Sequence, residues 1–332
     1  TRAISPEVVP SRRGENLYWA GRYGERTDTI ARFANRLVTG RTSGFSYGRA
    51  VEAEHERILG ESLFRVFEAE EFLARAKEPD ERLALILADP GCPVGIAANL
   101  EFFHRASMAA REEWSLTSIF AIESARARWS TDAGGPFASP FRYESALQNL
   151  ALHLAAFHGV NLDSMTRDEA WGLLDAGCRI ERSWILLGLL VDLLEIDEPE
   201  PLGTLLNESV LFVADSLGTY QSQFVAIPTT ALTLRLLLGE EDYPRSLRYL
   251  LGRIALVLGK LEPPASGTHP ARLLDPIISE LDGFVAAMGP APSSDELQRE
   301  EALALMKGWR DRLAGLHDYL TTSYFSHAEA RG

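Results

Sequence analysis

The chain has 332 residues, 46% of them hydrophobic and 24% charged, with 47 acidic side chains against 33 basic ones and a formal net charge of −14. This is the composition of an ordinary soluble globular protein with a sizeable core, and its acidity excludes nucleic acid and anionic membrane surfaces as main partners, because phosphate affinity comes from clustered Lys and Arg. Cys92 and Cys178 lie far apart, outside any Cys-x-x-Cys pattern, which points to a reducing cytoplasm and against a zinc site.

Thr1 to Ser11 reads as a linker or tail with no basic-then-apolar leader pattern. The missing initiating Met suits either Met removal or excision from a longer chain. Helical periodicity then dominates: Arg13 to Val38, Val51 to Ala76, Val94 to Arg111 and Asp168 to Leu194 mix Leu, Ala, Glu and Arg without alternating β-branched runs or Asn-Gly turns. Proline and glycine mark loops at Asp89 to Gly91, Ala133 to Pro140, Glu198 to Pro201, Glu262 to Pro270 and Gly289 to Pro292. Thr166, Asp168 and Glu169 signal one helix start, and Ser293 to Glu296 another. The longest apolar candidate, Trp184 to Leu194, is interrupted by Asp192 and falls short of a membrane span of about 20 residues. The expectation is an all-α fold, one large multi-helix bundle over residues 1–332.

Ala20-Gly21 followed by Glu25-Arg26 recurs as Ala176-Gly177 followed by Glu181-Arg182, with Trp19 and Trp171 on the amino-terminal sides. The echo suggests two pseudo-repeated halves, roughly 12–160 and 161–327, each carrying a Glu-Arg helix. At about 100° per residue, Glu15, Tyr18, Trp19, Arg22, Glu25 and Arg26 fall on one side of the first helix, with Leu17, Ala20, Gly21, Gly24 and Ala31 on the other. Small residues there let a neighbouring helix approach closely. The second Glu-Arg pair runs straight into Trp184-Ile185-Leu186-Leu187, so its charges require partners. One reading makes Glu25, Arg26, Glu181 and Arg182 a crossed ion-pair network. The other has the same groups, with Arg22 and Tyr18, lining a cleft for a carboxylate or phosphate.

Several segments together carry a family resemblance. Gly14-Glu15-Asn16-Leu17-Tyr18-Trp19-Ala20-Gly21-Arg22-Tyr23-Gly24-Glu25-Arg26 resembles the opening motif of the alpha-E family, bacterial helical domains named for a Glu-Arg pair. Asp89 to Ile96, Met165 to Trp171 with Gly177 to Arg182, Asp215-Ser216 with Thr219-Tyr220, Pro244 to Leu247 and Tyr324 to His327 are similar to later family segments in the same order. The departures fall on basic positions: His104 and Met108 stand where arginines are expected, Cys178 replaces the Arg after Gly177, and Gln221 to Phe224 replaces an Arg-rich stretch. An anion site carried over from those segments is therefore incomplete.

The resemblance implies association with a circularly permuted ATP-grasp domain, fused or separate, and with peptide or amide bond formation. ATP and Mg would belong to that associated domain, and no cofactor to this one. The expected role is auxiliary, in peptide-substrate binding or complex assembly. The alternatives are a catalytic role, with Glu25 or Glu181 as general base and arginines stabilising an oxyanion, and a purely structural dimerisation scaffold, which would make the chain a homo-oligomer. Weaker site candidates are Glu15, Asn16, Trp171 and Arg245; the last follows Pro244 at an expected helix start, where a surface position is the default. His153 and His158 are spaced wrongly for one helical metal face, no Walker loop surrounds Lys77, Lys260 or Lys307, and the glutamates at 52, 54, 56, 68, 70 and 71 read as a solvated acidic face of the second helix.

Overall fold

In the computed structural model, residues 11–42, 47–132, 140–264, 267–289 and 298–325 are described. Their helices run in the order α1 Ser11–Thr42, α2 Arg49–Val66, α3 Pro79–Ala88, α4 Ile96–Ala109, α5 Leu116–Asp132, α6 Pro140–Ser164 and α7 Glu169–Ile196. They continue with α8 Leu202–Val213, α9 Leu217–Gln223, α10 Thr230–Gly239, α11 Leu247–Leu258, α12 Asp275–Met288 and α13 Arg299–Leu320. No strand occurs among the described residues, in line with the all-α periodicity.

Helices α1 and α7 form the centre. The first packs against α7, α4 and α6, and the second against α1, α11 and α13. Both are long, at 32 and 28 residues, because neither contains a proline and because both are surrounded by apolar neighbours that remove the need for a solvated face. Tyr18, Ile30, Phe33 and Ala34 of α1 and Leu187 and Leu190 of α7 are fully buried. The shorter helices add an outer layer in which α2 touches both α1 and α7, and α8 likewise touches both. Asp168 caps α7 by accepting the Trp171 backbone N–H at 3.1 Å, as the Thr166 to Glu169 signal predicts.

Three expectations change. The second helix stops at Val66 instead of reaching Ala76, and a 3-10 segment, Glu70–Arg75, follows. Glu68 ends it in the left-handed region at φ 54°, a conformation that ordinarily favours glycine. Glu68, Glu70 and Glu71 therefore lie beyond α2 and do not extend its acidic face. Arg245 does not begin a helix, because Ser246 caps α11 by accepting from the Tyr249 N–H at 3.2 Å. Finally, α1 does not divide into a charged side and a small-residue side. Gly21 and Glu25 are one turn apart and stack on the same face, and both meet α7. The Ser293 to Glu296 start signal lies outside the described residues.

Candidate functional site

The site begins with the glycines. A Cβ on Gly21 would fall inside contact distance of the Leu174 carbonyl and 2.9 Å from the Cys178 nitrogen. A Cβ on Gly177 would do the same to the Tyr18 carbonyl and carbon. Two backbones can approach this closely only where both helices lack side chains. The contacts also run in the same direction, from Tyr18 beside Gly177 to Glu25 beside Arg182, so α1 and α7 lie parallel.

One turn beyond the glycines, the charges cross. The Arg182 Nε and Nη2 groups each donate to Glu25 at 2.6 Å. In return, Arg26 Nε donates to Glu181 Oε1 at 2.6 Å, and Arg22 Nε donates to Glu181 Oε2 at 2.5 Å. Exchanging the two helices maps Gly21 onto Gly177, Glu25 onto Glu181 and Arg26 onto Arg182, and the contacts map with them. Arg22 has no such counterpart, since Cys178 occupies the matching place. The charge on that side comes instead from Arg245, which reaches Glu25 at 3.8 Å and Asp215 at 2.7 Å. Arg245 is thus a half-buried member of the network and not a surface residue.

Both carboxylates are sealed, Glu25 at 1% exposure and Glu181 at 0%. Burial pushes the Glu25 carboxyl up, but Arg182 and then Arg245 outweigh it and hold the group at about 2. Burial also opposes ionisation of Glu181, and Arg22 and Arg26 again win, leaving its pKa below the usual range. Both carboxylates therefore remain ionised in the core because each receives two charge-assisted hydrogen bonds.

An aromatic layer closes the Arg22 side. The ring of Trp19 lies 5.3 Å from Arg22 and stacks on Tyr23, with centroids 5.2 Å apart. Tyr18 is fully buried, and burial raises its phenol to about 12. Its hydroxyl meets His317 Nδ1 of α13 at 2.9 Å. Burial, with Arg22 nearby, lowers the His317 ring to about 4, so at neutral pH the imidazole is uncharged and Nδ1 is free to accept the Tyr18 proton. On the other side, Cys178 lies 3.9 Å from His158. Burial, reinforced by Glu25, raises the thiol strongly, so Cys178 is a protonated, unreactive filler.

The structure thus unites Tyr18, Arg22, Glu25, Arg26, Glu181 and Arg182, and adds Arg245. Glu15 and Asn16 sit half-buried on α1, about 15 Å along the axis before Glu25 at 1.5 Å per residue. Trp171 lies as far before Glu181 on α7 and carries the Arg167 guanidinium at 4.4 Å from its ring centre. His317 forms no local pattern in the sequence, and His158 is weighed there only as a metal ligand with His153. Among the described residues no cluster of three His, Cys, Asp or Glu side chains is suited to a metal, and no helix is long and apolar enough to cross a membrane.

Among the described residues, the open space recorded beside the lattice is slight. A recess of about 20 Å³ touches Glu25, Thr29, Arg182, Ile185 and Arg245, room for a single water. A carboxylate held at about 2 by a two-pronged guanidinium is a weak proton acceptor at neutral pH. The arrangement suits fixing two helices in register better than it suits acid–base chemistry.

A family model described as a predicted alpha-helical domain with a conserved ER motif matches residues 9–325. An uncharacterized protein of Mycobacterium tuberculosis and another of Mycobacterium bovis are each 25% identical over 327 residues, which cover 94% of this chain and 35% of the relative. The chain therefore spans about a third of the length of the curated relatives it matches. No solved structure matches it.

Proposed function

The chain belongs to the Alpha-E family, and we propose that it acts as an auxiliary, noncatalytic helical domain of an ATP-grasp-associated system that forms peptide or amide bonds. Its contribution is to peptide-substrate binding or complex assembly, with ATP and Mg bound by the ATP-grasp partner. The family resemblance supplies that setting, and the length of the relatives is compatible with further domains beside this one. The observation that favours an auxiliary role is the sealing of both carboxylates, Glu25 and Glu181. A general base must reach the proton it abstracts, and among the described residues the recess at Glu25 is too small for a substrate. The recess beside Glu25 makes that residue the stronger candidate for a catalytic alternative.

The test is reconstitution of the chain with its cognate ATP-grasp domain, ATP, Mg and candidate peptides, followed by product formation with folded Glu25→Gln and Glu181→Gln variants. Turnover retained in both variants and lost on omission of the helical domain is the expected result. Turnover that disappears in a variant whose fold and partner binding are intact would establish catalysis by that carboxylate. Equal turnover without the helical domain would overturn the auxiliary role.

A further inference from the structure

Away from the Glu-Arg lattice, a cavity of about 250 Å³ lies between the carboxyl-terminal part of α1 and the first turns of α2. Its wall includes Arg36, Arg41, Glu52, Leu37, Ala53 and Leu59. The charges on this wall are not equivalent. Arg41 is already spent: its guanidinium donates to Glu56 at 2.6 Å and to Asp80 at 2.5 Å. Arg36 differs, because among the described residues no carboxylate lies within ion-pairing distance of it. Nor, among the same described residues, does any cation lie within that distance of Glu52.

The side chain of Arg36 is nevertheless held firmly. Its Nε donates to Ser209 Oγ of α8 at 3.1 Å. The Ser209 hydroxyl lies 2.8 Å from the Leu205 carbonyl. Its oxygen accepts from Arg36, and the buried His55 Nε2 lies 2.7 Å away. Burial, then Arg36, lowers His55 to about 4, so the ring behind the guanidinium is neutral. With Nε committed, the two Nη groups of Arg36 remain, the pair a carboxylate takes bidentately. Burial also lowers the Arg36 pKa, which Glu208 and Glu52 only partly offset from a distance, so an anion at this place would relieve a standing cost.

We propose that this cavity is a binding site for a zwitterionic α-amino acid, its carboxylate on Arg36, its ammonium on Glu52 and an aliphatic side chain against Leu37, Ala53 and Leu59. A simple anion would satisfy Arg36 and leave Glu52 unmatched, and a simple cation would do the reverse. The volume is below the roughly 300–1,000 Å³ of sites for drug-sized ligands, which favours one residue over a peptide. This inference rests on the cavity alone and is independent of any ATP-grasp partner.

The test uses the full chain by itself. Calorimetric titration with each of the twenty common L-amino acids is expected to give saturable binding of at least one aliphatic member, with L-leucine as the reference probe. Each one-charge analogue, 4-methylpentanoate and 3-methylbutylamine, is expected to bind at least about tenfold more weakly than leucine. Arg36→Met and Glu52→Gln are each expected to weaken binding by about tenfold or more. Glu52 makes no side-chain ion pair among the described residues, so its variant keeps the test open if Arg36→Met fails to fold. No saturation by any amino acid up to about 10 mM, unchanged affinity in Glu52→Gln, or 4-methylpentanoate binding as tightly as leucine would each overturn the proposal.

Discussion

Arg182 grips Glu25 with two hydrogen bonds of 2.6 Å, one from Nε and one from Nη2, in a place where the carboxylate is 1% exposed. Removing the cation leaves a buried charge with only Arg245 at 3.8 Å. Arg182→Met is therefore expected to destabilise the fold by about 3–5 kcal/mol. The double change Arg182→Met with Glu25→Leu should recover much of that loss, because the uncompensated charge goes with its partner. Urea unfolding of the two variants measures the difference; a single variant within about 1 kcal/mol of the parent would contradict the account.

The same pairing predicts a direction in pH. Glu25 has a folded-state value of about 2, below the ordinary 4.5, and Glu181 is also lowered. Their contribution to stability is complete above about pH 4.5 and is lost as pH falls toward 2. Unfolding free energy should thus drop through that interval in the parent. In a folded Glu25→Gln variant the slope should be shallower, and identical slopes would show that Glu25 is not held as described.

Close contact between α1 and α7 is the most demanding feature of the fold. In an open helix, Gly→Ala gains about 1 kcal/mol of helix propensity. At Gly21 and Gly177 the added methyl meets backbone of the other helix, which cannot rotate away, so each substitution is expected to cost at least about 2 kcal/mol. Gly159 of α6 is the control, since nothing lies within 4 Å of a Cβ built there, and Gly159→Ala should be neutral or stabilising. Thermal melts that rank all three alike would remove steric contact as the reason for the glycines.

The pieces of this lattice were legible in the sequence because they repeat: Gly21 and Gly177, Glu25 and Glu181, Arg26 and Arg182 have the same spacing in both copies. Wheel geometry nevertheless misplaced Gly21, since it assumed one buried face and α1 is enclosed on several. Arg245 was undervalued because its importance depends on Cys178, where an arginine is missing on another helix. His317 belongs to α13 and meets Tyr18 only through tertiary packing. The end of α2 was unreadable for a local reason, as Glu68 adopts the left-handed turn without the glycine that usually signals it.

The asymmetry between the two carboxylates gives a last expectation. Glu181 depends on single contacts from two arginines, 2.5 Å to Arg22 and 2.6 Å to Arg26. Glu25 has Arg182 in a two-pronged bond and Arg245 only at 3.8 Å. Arg22 is also the more deeply buried of the two auxiliary cations, and its stem packs beside Trp19. Arg22→Met should accordingly destabilise by about 2–4 kcal/mol, through the buried Glu181 oxygen left without its donor. Arg245→Met should cost about 1 kcal/mol, since a longer contact with partial exposure is weaker. Equal losses in urea unfolding would mean that Arg245 fully replaces the arginine absent at Cys178. A larger loss at Arg245 would place the weight of the network on the α11 side, contrary to the geometry.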